Sequence, residues 1–80
     1  MELHLIKGSF EKEEALELIQ QLIQLKIKFH EKKIQQCEQE EDIKMRENRI
    51  KQLQNEFNQA RTLIQEKSAF CSIQSTIHIE

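Results

Sequence analysis

Hydrophobic residues recur along the middle of the chain with the spacing of a helix. Two rows, three residues apart, carry the pattern. One row is Ala15, Leu22, Phe29, Gln36, Ile43, Ile50, Phe57 and Ile64, and the other is Leu18, Leu25, Lys32, Gln39, Arg46, Leu53, Ala60 and Lys67. Alternating spacings of three and four residues place both rows on one face of an α-helix. The pattern predicts a helix with one apolar seam that becomes polar in its middle.

Two architectures would bury the apolar residues of this seam. One is a single helix about 80 Å long in an extended coiled coil. The other is a hairpin folded at residues 38–42, which places the apolar layers of the two halves side by side: Ala15 with Ile64, Leu22 with Phe57, and Phe29 with Ile50. Asp42 is a candidate N-cap there, and acidic residues around it suit the positive end of a second helix. No Gly or Pro marks the turn, but only the hairpin pairs apolar layers with one another, so we favour it.

The two ends of the chain have the pattern of short strands. Residues Leu3–Ile6 form a β-type run that Gly8 and its neighbours close, and Ser9 or a neighbour is expected to cap the first helix. Residues Ile73–Glu80 alternate with a period of two. A helical hairpin brings both segments to one end of the molecule, where they can pair antiparallel.

The sequence therefore predicts one domain over residues 1–80, mainly α, with the order β-α-α-β. Its elements are a strand at 2–7, a helix at 10–37, a turn at 38–42, a helix at 43–68 and a strand at 72–79. The helices form an antiparallel, coiled-coil-like pair. We assign the core of their seam to Leu22, Phe29, Ile50, Leu53 and Phe57.

The first helix also carries a second apolar row, formed by Leu16, Ile19, Ile23 and Ile27. A single helix–helix seam does not need this second row. A two-stranded ribbon is marginally stable in water and has open edges. Both features favour a homodimer in which the second row covers the sheet or the partner subunit.

Composition adds limits to this interpretation. The 80 residues carry a formal net charge of −2, so no global field drives the chain onto nucleic acid or lipid. No apolar run approaches the roughly 18–20 residues of a membrane span, and the first residues lack a signal-peptide pattern. We expect a cytoplasmic protein without membrane contact, in which Cys37 and Cys71 are reduced thiols.

Candidate chemistry is sparse. His4 and His78 are expected on paired strands, but two imidazoles are too few for a zinc site. The single glycine excludes a Gly-rich phosphate loop, and the serines lack the context of a nucleophile elbow. We expect no catalytic residue, no metal and no cofactor, and hence a non-enzymatic protein.

Basic residues cluster in the middle of the chain, where eight of the 12 Lys and Arg lie between residues 26 and 51. A nucleic-acid face on a dimer of hairpins would use Lys28, Lys32, Lys33, Arg46 and Arg49. Six acidic residues in the same region favour a solvated surface instead. The expected function is a small oligomeric structural or protein-interaction module with a second copy, or an unidentified protein, as its partner; RNA binding is the alternative.

Three segments carry a resemblance: Leu3–Phe10, Lys28–Glu31 and Ser75–Ile79. They resemble short uncharacterised bacterial proteins with a strand–helical hairpin–strand layout. The resemblance spans most of the chain and implies the same layout, but it implies no activity, ligand or cofactor.

Overall fold

The computed structural model describes residues 1–80 and contains four elements. They are β1 (Glu2–Glu11), α1 (Lys12–Gln36), α2 (Glu40–Gln65) and β2 (Phe70–His78). The strands pair antiparallel, which confirms the β-α-α-β layout. The helices contain 25 and 26 residues and the strands 10 and 9. "Mainly α" was therefore too loose, and α+β describes this chain better.

The turn between the helices is shorter and earlier than predicted. It comprises residues 37–39, with Cys37 as the C-cap of α1 and Gln39 as the N-cap of α2. Asp42 lies inside the first turn of α2, so its assignment as N-cap was wrong. Together with two preceding glutamates it still places negative charge at the positive end of the helix.

β1 continues past the position where the sequence pattern predicted its end. Gly8 has a φ of +154°, which L-residues with a side chain rarely adopt, and it lies opposite Ile73 in the ladder. The strand passes through this glycine and ends at Glu11. The Glu14 carboxylate accepts a 3.3 Å hydrogen bond from the Glu11 backbone N–H, so Glu11, and not Ser9, precedes α1.

The ladder runs from Glu2 opposite His78 to Glu11 opposite Phe70, with one irregularity. Leu5 has no partner and forms a bulge between its neighbours. At the base, the Lys12 backbone N–H donates to the Ala69 carbonyl at 3.2 Å. The Lys12 ammonium donates to the Gln65 carbonyl at 2.9 Å, which satisfies one of the free carbonyls at the end of α2.

The core is small and lies where the ribbon joins the helices. Five residues are buried: Ile6, Ala15, Leu53, Ile64 and Cys71. Ala15, Ile64 and Cys71 form one cluster, against which Phe10, Leu16, Ile19 and Ile73 pack. The predicted neighbourhood of Ala15 and Ile64 is thus confirmed. Neither helix combines the length and the apolar character needed to cross a membrane.

The seam follows the predicted row on α2 but departs from it on α1. On α2, Leu53 is buried, and Ile50 and Phe57 are partly buried. On α1, Leu22 is partly buried, but Phe29 is 52% exposed, so its placement in the seam was wrong. The next residue, His30, contacts α2 instead. A straight helix advances 3.6 residues per turn rather than 3.5, so its contact row drifts to later residues along its length.

The same drift changes the role of the second apolar row on α1. Leu16 and Ile19 pack against the basal cluster. Ile23 and Ile27 line a groove between the helices together with Phe57. In its second half, the row expected to cover the sheet or a partner subunit therefore borders a groove of the chain's own helix pair, and its contact with a partner stays a prediction.

Candidate functional site

A concave surface lies near the turn, between the second half of α1 and the first half of α2. We call it the tip cleft, an open space of about 830 Å3. Its lining consists of Lys26, His30, Lys33, Gln36, Cys37, Asp42, Met45, Arg46, Asn48, Arg49 and Gln52. Most of these side chains are polar, so the cleft is suited to a charged or hydrogen-bonding ligand rather than an apolar one.

The tip cleft is positively charged. Four of its lining residues are cations and one, Asp42, is an anion, which gives 4 − 1 = +3 in a chain whose net charge is −2. Arg49 approaches the Glu56 carboxylate at 3.9 Å. Lys26, Lys33 and Arg46 have no carboxylate within 4.0 Å. Three cations of the cleft are therefore available to an anion from solution.

His30 connects the two walls of the cleft. Its Nδ1 lies 3.1 Å from an Arg46 guanidinium nitrogen. Arginine offers only donors, so Nδ1 accepts this hydrogen bond and the neutral ring carries its proton on Nε2. Nε2 is inaccessible to solvent and has no hydrogen-bond partner. The bond thus fixes the ring at the cost of one unsatisfied donor.

The surroundings keep this ring neutral. Desolvation lowers the pKa of His30, and the nearby charges of Arg46, Lys26 and Arg49 lower it further. Burial and positive neighbours both disfavour imidazolium. A neutral His30 can accept from Arg46, whereas a protonated one cannot, so the low pKa and the hydrogen bond support each other.

Cys37 lies at the turn end of the cleft. Its Sγ is 3.7 Å from the Gln39 carbonyl oxygen and 3.9 Å from the Asp42 carboxylate. These are weak thiol contacts that tie the turn to α2. Cys71 is buried in β2 at the other end of the molecule, so the two thiols belong to different regions.

The structure brings together part of the predicted nucleic-acid face. Lys33, Arg46 and Arg49 line the tip cleft, whereas Lys28 and Lys32 are exposed outside it. Lys26 belongs to the basic cluster noted in the sequence but was not among the five residues assigned to the face, and His30 was not assigned to it at all. The drift of the α1 contact row points in the direction of His30, but at about 20° per heptad it covers only part of the step of about 100° from residue 29 to residue 30.

A second candidate surface is apolar. Leu18, Leu22, Leu25 and Phe29 follow one another at spacings of four, three and four residues, and we call them the α1 stripe. Leu18 and Leu22 are partly buried, and Leu25 and Phe29 are 68% and 52% exposed. The Lys33 ammonium lies 5.7 Å from the centre of the Phe29 ring. The stripe leaves two large apolar side chains in water.

The histidines of the ribbon make local polar contacts. His4 Nδ1 lies 3.4 Å from the Thr76 hydroxyl across the strands. His78 Nδ1 lies 3.5 Å from the Glu2 carboxylate. No group of three His, Cys, Asp or Glu side chains is arranged to hold a metal ion. In this arrangement the ribbon histidines support the pairing of the strand ends.

Comparison with known proteins gives no match: no family model, no curated protein and no solved structure is similar to this chain.

Proposed function

We propose that the protein is a non-enzymatic module that acts by self-association, with a second copy of the chain covering the α1 stripe. One observation carries this proposal. A compact monomer of 9.6 kDa exposes about 5,100 Å2, whereas this chain exposes 6545 Å2. The surplus is about 1,400 Å2, and a standard dimer interface covers about 800 Å2 on each partner.

The shape of the chain supports the same proposal. Its radius of gyration is 15.1 Å, against about 12 Å for a compact 80-residue domain. Its extents are 46 × 32 × 13 Å, so it is a flat body with little interior. Five buried residues in 80 make a thin core, and small domains of this kind usually gain stability from oligomerisation.

The α1 stripe has the chemistry that a second helix requires. Its spacing of three and four residues is the spacing of helix–helix seams. In a symmetric dimer the same stripe on each copy covers the other, so Leu25 and Phe29 of both chains leave water together. The tip cleft supports a binding role rather than catalysis, because His30 engages a guanidinium and not a nucleophile.

Sedimentation equilibrium tests the proposal. We expect a dimer at micromolar concentration and a shift to monomer for Leu25→Lys, which places a charge in the interface. Leu63→Lys is the matched control, since Leu63 is 57% exposed on the other helix. A wild-type chain that sediments as a folded monomer at this concentration would overturn the proposal. Equal dissociation of both variants would overturn the location of the interface.

A further inference from the structure

Like charges face one another across the tip cleft and are only partly neutralised. Lys26 and Lys33 lie on α1, and Arg46 and Arg49 lie on α2. Asp42 is the one carboxylate of the lining. The Arg49–Glu56 contact at 3.9 Å joins half-exposed side chains, and such pairs contribute little. An anion bound between the helices would remove the remaining repulsion.

One of the cations that line the cleft is held in place. Arg46 donates to His30 Nδ1 at 3.1 Å and is partly buried. A guanidinium has five N–H donors in a planar fork, so this bond leaves the others for a ligand. Since the side chain is already ordered, binding costs less conformational entropy than at a free arginine.

The size and polarity of the cleft narrow the ligand class. About 830 Å3 is within the range of small-molecule sites. Multiple cations with a planar arginine fork match the oxygens of a phosphate group, which accept paired hydrogen bonds from arginine. Carboxylates carry less charge and fewer acceptor oxygens than a diphosphate, so they match a surplus of +3 less well.

We propose that the tip cleft is a phosphate-binding site in which Arg46 contacts the phosphate oxygens, flanked by Lys26, Lys33 and Arg49. The ligand is a phosphate-bearing molecule with two or more negative charges. His30 is a positioning residue that holds the Arg46 guanidinium. All these residues belong to one chain, so the site does not depend on the proposed dimer, and either proposal can fail without the other.

Isothermal titration calorimetry with pyrophosphate at low salt tests the site. We expect binding with a Kd of about 1 mM or tighter, weakened at least about tenfold by Arg46→Gln, which keeps a polar side chain but removes the charge. Lys28→Gln is the matched control, because it removes one charge from the same helix outside the cleft. We expect it to weaken binding less than about twofold, through long-range attraction alone.

The variant His30→Gln separates the positioning of Arg46 from the effect of the total charge of the cleft. It leaves the charge of the cleft at neutral pH unchanged but alters the acceptor for Arg46, so we expect pyrophosphate to bind more weakly than to the wild type and more weakly than to Lys28→Gln. The absence of binding at 10 mM pyrophosphate (roughly the limit for a specific site), or equal losses in Arg46→Gln and Lys28→Gln, would overturn the proposal.

Two further titrants distinguish the source of the phosphate. A nucleoside diphosphate that competes with pyrophosphate indicates a small-molecule ligand. A single-stranded ribo-oligonucleotide without terminal phosphates that competes, with strong salt dependence, indicates nucleic-acid backbone phosphates. Either result supports a phosphate site. The proposal is contradicted if neither titrant competes with pyrophosphate and chloride at equal concentration displaces it.

Discussion

Truncation of Phe29 gives the sharpest test of the proposed dimer, because the expected loss of dimerisation free energy can be calculated from the exposed area of the Phe29 side chain. Phe29 is 52% exposed in the single chain, and a whole phenylalanine presents about 200 Å2. About 100 Å2 on each chain is therefore available to an interface. At about 25 cal/mol per Å2 this is roughly 2.5 kcal/mol for each subunit, or about 5 kcal/mol for a symmetric dimer.

Phe29→Ala removes most but not all of this contribution. Alanine keeps its Cβ, and the vacated space relaxes in part, so we expect a loss of about 3 kcal/mol per dimer. That loss weakens dimerisation roughly hundredfold. The single chain should lose much less stability, since half of the ring is in water already. Sedimentation equilibrium over a range of concentrations measures the dimer constant, and circular dichroism at high concentration checks that the helices remain.

The chain offers a close control. Phe70 is also a phenylalanine and is 59% exposed, but it lies at the start of β2 and away from the α1 stripe. Phe70→Ala should change the dimer constant less than about threefold, within the usual effect of an exposed substitution. Equal effects of the two substitutions, or no effect of Phe29→Ala on the dimer constant, would refute the reasoning.

Three further predictions address the core, the titration of His30 and the thiols. Leu53 is 7% exposed at the middle of the seam, so Leu53→Ala should lower the free energy of unfolding by about 2–3 kcal/mol in urea denaturation at fixed protein concentration; a loss below about 1 kcal/mol would place Leu53 outside the core. The pKa of His30 is lowered from 6.5 in the folded chain, so the unfolded chain takes up the proton first and stability falls as the pH drops below about 6.5. His30→Gln should make the melting temperature less dependent on pH between about 7.5 and 5.5, and slopes that match the wild type would contradict the lowered pKa. Cys37 at the turn and Cys71 at the base are about 40 Å apart by the rise of α2, so mild oxidation should give only disulfides between chains on a non-reducing gel, because a bond within the chain requires Cα atoms within about 7 Å.

The layout of the fold could be predicted because several patterns agree on it. The apolar layers around Ala15 and Ile64 match only in a hairpin, and the strand segments can pair only if the chain folds back. The bounds of the elements were less predictable. Glycine is common in turns, yet Gly8 lies within β1 opposite Ile73. Pairing with a long partner strand outweighs the local preference of one glycine.

The candidate site was harder to predict for a geometric reason. A strict heptad count assigns Phe29 to the seam, but the row drifts in a straight helix, and by the tip the inward residue is His30. The drift of about 20° per heptad accounts for only part of this step of one residue, which replaces an aromatic ring by an imidazole and brings Arg46 into hydrogen-bond distance. The basic cluster was visible in the sequence, but the side of the helix on which each lysine lies was not.

The bulge at Leu5 makes the two strands unequal in their tolerance of length changes. β1 uses ten residues against nine in β2, and Leu5 is the residue without a partner. Deleting Leu5 would leave His4 opposite Thr76 and Ile6 opposite Ser75, and every remaining side chain would keep its face of the ribbon. Deleting one residue within β2 would turn all the residues beyond it to the opposite face. Natural shortening of this fold by one residue is therefore expected in the first strand and not in the last.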